Sequence, residues 1–166
     1  MEAGGNPFAV LTAVAAPAIL TNACSVLALG TSNRLARVVD RTRVVAKELA
    51  GFEPGSPEYQ PWATQLDRLQ VRTQLLVKAL RVIYASLGLF ASAALLSVVG
   101  SLVTYYVGRA LFAVMAVLAL VVGAVAVAGL AWGCALMVHE TRLAVRNLAE
   151  EAKIQTSSRR VGFHAN

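Results

Sequence analysis

The chain is 166 residues long, 57% apolar and only 14% charged, with a net charge of +6 and a mean hydropathy of +0.63. Soluble domains carry about a quarter of their residues as charges, so this composition all but excludes a soluble globular enzyme. The charges are also gathered in a few places: residues 7–33, 82–108 and 110–138 carry none, and each run is long enough to cross a hydrocarbon core of about 30 Å.

The first run reads as a retained span over residues 8–30. Residues 1–6 lack the basic residues of a secretory leader. A cytoplasmic extension over 31–50 follows, where Leu35, Val38, Thr42, Val45 and Leu49 repeat at alternating steps of three and four and so share one helical face. Gly51, Pro54 and Gly55 break that helix. Ser56 then reads as an N-cap, with Pro57 at the first helical position. A helix over 57–81 carries a second seam, Trp62, Leu66, Leu69, Thr73, Leu76, Leu80, Ile83 and Leu87, which runs on into the second span at 82–104. A turn over 105–109, holding Tyr105 and Tyr106, leads to the third span at 110–137. Its extension over 138–156 has a weaker seam of Val138, Thr141, Val145, Leu148 and Ala152. Residues 157–166 read as a flexible tail. The expected fold is an all-α membrane protein, a single helical domain over 1–156 with three transmembrane helices extended into a cytoplasmic antiparallel helical bundle. The other arrangement for 31–81, a pair of helices lying on the membrane, fits the charge pattern too.

Nine of the fifteen Lys and Arg residues lie in 31–81 and five lie beyond His139, leaving Arg109 alone between the second and third spans. The positive-inside rule then puts the N-terminus outside and the C-terminus in the cytoplasm. The basic clusters face anionic lipid headgroups. No nucleic-acid motif accompanies them. Cys24 and Cys134 both lie within spans away from an oxidising compartment, so they read as small buried hydrophobes and not as a disulfide.

Catalytic residues and cofactors are not expected. His139 and His164 have no partner at metal-ligand spacing, and His139–Glu140 reads as a solvated or ion-paired helix end. The intramembrane hydroxyls have no base beside them. The first span is the most polar. Thr12, Ile19, Asn22, Ser25, Leu29, Asn33, Arg37 and Asp40 fall on one face that could line a conduit in a ring of subunits. Asn22 is the only carboxamide within a span, and a polar group at that depth prefers protein or water to lipid; the plainer account bonds it to a carbonyl inside the bundle. Asp40, three residues after Arg37 and three before Arg43, is either a salt-bridging helix residue or a cation ligand. Gly129 with Gly133, and Gly88 with Ser92, are small pairs that permit close helix packing.

Two blocks have a familiar form. Pro17-Ala18-Ile19-Leu20 with Leu27-Ala28-Leu29, and Asn33-Arg34-Leu35-Ala36-Arg37-Val38-Val39-Asp40-Arg41, resemble an uncharacterised bacterial membrane-protein family, domain of unknown function 2721. The resemblance covers roughly residues 10–150 and implies about three spans in a bacterial inner membrane. It implies no activity, ligand or site residue. The residues themselves point to a homo-oligomeric channel or pore. The alternative is a non-conducting membrane scaffold whose cytoplasmic bundle docks another protein.

Overall fold

The computed structural model describes residues 7–57, 59–107 and 109–163, with side chains described for 15–57, 59–100, 111 and 113–146. It is all-α. Three helices follow one another: α1 (Pro7–Leu49), α2 (Tyr59–Val107) and α3 (Arg109–Phe163). Each holds a stretch long and apolar enough to cross a membrane, with mean hydropathies of 1.3, 2.1 and 2.7 in chain order. α1 continues through Pro17. α2 and α3 are separated by residue 108 alone, so Tyr105 and Tyr106 belong to α2. α3 is helical through Phe163, past the expected start of a tail at 157.

The chain divides into two compact units. One takes Met1–Arg34 and Lys78–Cys134, the other Leu35–Val77 and Ala135–Asn166.

The first unit holds most of the apolar helix. Its core is small: Cys24, Ala28, Ile83, Phe90 and Ala126, with Leu20, Leu80, Leu87 and Leu130 packed against them. Such a core works because backbones approach closely. A Cβ added to Gly129 would come within 2.6 Å of Ser86 Oγ, and one added to Gly133 within 3.0 Å of Ile83 Cγ1. A Cβ on Gly100 would stand 3.2 Å from Met115 Cβ. As numbers fall along α2 they rise along α3, so the two helices run antiparallel. Cys24 and Cys134 are free thiols, Cys24 fully buried and Cys134 half-buried.

The second unit has its own core of Val38, Val45, Leu69 and Leu76, flanked by Leu35, Trp62, Leu66 and Met137. The two seams of α1 and α2 thus turn inward at the positions that their spacing picks out. The hairpin between them is a chain of tight turns: Gly51 N–H donates to Glu48 O, Ser56 N–H to Glu53 O and Tyr59 N–H to Ser56 O, at 3.0–3.1 Å. Gly55 has φ +103°, a left-handed conformation that glycine adopts without steric cost. Phe52 stacks on Trp62 at 6.3 Å.

Two further expectations are corrected by the second unit. α2 begins at Tyr59, not at Pro57, because Ser56 is held in a turn by its own N–H and C=O; its Oγ is buried without a partner instead of capping the helix. The α3 seam is also one residue out of register. Val138 and Val145 are 52% and 61% exposed, and Thr141 is exposed too, while Met137 and Glu140 face inward. The cause is a buried carboxylate, which hydrophobic patterning reads as surface. Leu148 and Ala152 lie outside the residues with described side chains.

Candidate functional site

The polar face of α1 within the first unit is built on a simple helical contrast. Cys24, Ala28 and Thr31 are its buried positions. At about 100° per residue, Asn22 lies half a turn round from Thr31. Accordingly Ile19, Asn22, Ser25, Leu29 and Asn33 are all exposed, with Ile19 at 68% and Leu29 at 64%. The five candidates share the face turned away from the chain's own helices. Thr12 lies on α1, with its side chain outside the described residues.

Four hydroxyls on the apolar stretches are satisfied within their own helices. Ser25 donates to Thr21 O at 3.0 Å, Thr31 to Leu27 O at 2.7 Å, Ser92 to Gly88 O at 2.8 Å and Ser97 to Ala93 O at 2.9 Å. Each uses the carbonyl four residues back, a bond internal to its helix. A carboxamide has two donors and an acceptor to place. No described residue bonds that of Asn22.

The small pairs separate into two kinds. Gly129 and Gly133 on α3 lie against Ser86, Ile83 and Ala79 of α2, so that pair is spent on packing within the chain. Gly88 and Ser92 are exposed on α2, and a Cβ at Gly88 would meet nothing within 4 Å.

In the second unit, Arg37 and Asp40 are exposed. Asp40 Oδ1 lies 3.7 Å from Arg43 Nη1, a local pair with both side chains about three-quarters exposed. Among the described residues no group of three or more His, Cys, Asp or Glu side chains could hold a metal. The strong electrostatic contact lies elsewhere. Glu140 Oε1 accepts from Arg72 Nε at 2.9 Å and lies 2.8 Å from Nη2, with the Glu140 side chain 4% exposed. His139 beside it is exposed. Hydrophobic spacing passes over this pair. The available signal is that Glu140 follows Gly129, Gly133 and Met137 at helical steps, while Arg72 falls between Leu69 and Leu76 on the α2 seam.

A groove of about 310 Å³ runs between α1 and α2 of this unit, lined by Val39, Thr42, Arg43, Gln70, Thr73 and Gln74. Thr42 and Thr73 spend their hydroxyl protons on Val38 O and Leu69 O.

The family model described as protein of unknown function (DUF2721) matches residues 14–150. The chain belongs to that family. The match takes in both units and the stretch from Asn33 to Arg41 that carries the sequence resemblance. No curated protein and no solved structure matches. The three-helix membrane fold rests on the architecture and its three long apolar helices.

Proposed function

We propose that the chain assembles with copies of itself in a bacterial inner membrane and forms a small channel bordered by α1. The supporting observation is the placement of Asn22. It lies on the uncovered face of an apolar helix, with no bond from any described residue. Leaving such a group in hydrocarbon costs about 4–8 kcal/mol on the water-to-cyclohexane scale, and lipid tails offer no hydrogen bond. Protein from a neighbouring copy, or water on a shared axis, relieves that cost. Ser25, Leu29 and Asn33 extend the same face. The N-terminus is outside, the second unit is cytoplasmic, and its basic residues meet anionic headgroups, as the Lys and Arg distribution favours. The role proposed is a non-catalytic one.

Single-channel recording of the purified protein in planar bilayers tests this reading, with Asn22→Leu as the comparison. Current is expected from the parent chain and altered conductance from the variant. Absence of current at every voltage and divalent-cation concentration overturns the channel.

A second reading, a membrane scaffold with a cytoplasmic docking bundle, draws on the groove beside Arg43 and Gln70. It is the weaker of the two because the groove by itself gives the exposed α1 face around Asn22 no role.

A further inference from the structure

Asn22 needs a partner, and the same unit carries a complementary surface. On α2, Gly88 and Ser92 each lie about 160° around from the buried Phe90 and are uncovered. Gly88 leaves open space where a Cβ would stand, which lets a second backbone come close. Ser92 has given its proton to Gly88 O, so its oxygen is free to accept.

The two features also stand at matching heights. The first unit ends at Arg34 on α1 and at Lys78 on α2. Asn22 is twelve residues from the one and Ser92 fourteen from the other, or roughly 18 Å and 21 Å at 1.5 Å per residue. Copies inserted in the same direction and related by rotation about the membrane normal keep every residue at its height. Within one chain the two faces point away from their common core. Between neighbouring copies they can meet.

We infer that the subunits join head to tail, with Asn22 of one copy donating its carboxamide to Ser92 Oγ of the next across the Gly88 face. This rests on the proposed assembly and names its interface. The exposed band of α1 from Ile19 to Ser25 covers about 120° of arc. Asn22 can therefore sit at the seam between two subunits, touching the neighbour while bordering the axis. A head-to-tail contact between unlike faces closes into a ring when its rotation closes; a contact of Asn22 with its own copy would stop at a pair.

Cysteine cross-linking in native membranes tests the interface. In a Cys24→Ala, Cys134→Ala background, Asn22→Cys with Ser92→Cys is expected to give, on mild oxidation, a covalent ladder beyond the dimer. Asn22→Cys with Val99→Cys is expected to give none, since Val99 lies on the same face about 10 Å further along. Gly88→Leu supplies a second measurement. It is expected to shift the detergent-solubilised protein to monomer while its unfolding temperature stays unchanged, because nothing in the subunit occupies that space. A ladder of equal strength from Val99→Cys, no ladder at all, a dimer from Asn22→Cys alone, or an intact oligomer in Gly88→Leu overturns the inference. The channel is tested separately: a specific ladder without current removes conduction and keeps the interface, and current without the ladder does the reverse.

Discussion

Arg72 places two nitrogens on one oxygen of Glu140, Nε at 2.9 Å and Nη2 at 2.8 Å. The pair joins α2 to α3 inside the second unit, where Glu140 is almost fully enclosed and Arg72 keeps 26% of its side chain in contact with solvent. A carboxylate taken this far from water is retained only with a close cation.

Removing one partner should therefore cost more than removing both. Glu140→Ala is expected to destabilise the protein by about 3 kcal/mol, the low end for a broken buried pair because Arg72 is partly solvated. Arg72→Met together with Glu140→Leu should recover most of that loss. Thermal unfolding in detergent, followed by maleimide labelling of the buried Cys24 thiol, reads both. A double variant as weak as Glu140→Ala contradicts this account.

Close packing of α3 on α2 predicts a size limit at two glycines. Gly133→Val and Gly129→Val press a branched side chain into Ile83 and Ser86 and should each cost about 1–3 kcal/mol. Gly123→Ala, with nothing within 4 Å of its Cβ, should leave stability within about 0.5 kcal/mol. The same labelling assay ranks the three variants.

The register of α3 gives an independent pair of substitutions. Met137→Ala empties space against the core of the second unit and should cost about 2 kcal/mol. Val145→Gln changes a side chain on a residue 61% exposed and should be nearly neutral. Equal effects would place the seam where hydrophobic spacing alone puts it.

Much of the architecture was legible because apolar spacing reports burial directly. Val38, Val45, Leu69 and Leu76 lie at seam positions and form the core. The charge-free runs likewise marked all three long helices. Spacing failed where a polar group was buried by pairing. Glu140 looked like surface, so the α3 seam slipped to Val138, Thr141 and Val145. It failed again at Ser56, where a favourable capping residue was captured by a turn between two prolines. For the candidate site, the pattern put Asn22, Ser25 and Leu29 on one face. Which face is uncovered depends on how α2 and α3 pack, and the sequence of α1 does not contain that information. The two glycine pairs also looked alike in sequence; only the opposing helix distinguishes Gly129 with Gly133 from Gly88 with Ser92.

Gly55 offers a local test of the hairpin. Its φ of +103° disfavours any side chain, so Gly55→Ala should lower stability by about 1 kcal/mol. Gly55→Asn should cost less, since asparagine tolerates left-handed backbone better. Urea titration of the two variants in a mild detergent reads the difference.

Ser25, Thr42, Thr64, Thr73 and Ser92 all hand their protons to the carbonyl one turn behind. A bond of that kind travels with its own rod, so twisting one helix against another neither breaks nor rewards it. These five bonds are rotationally mute. The azimuth of each rod is left to the few contacts that reach across, and altering any one of them should loosen orientation long before it melts a helix.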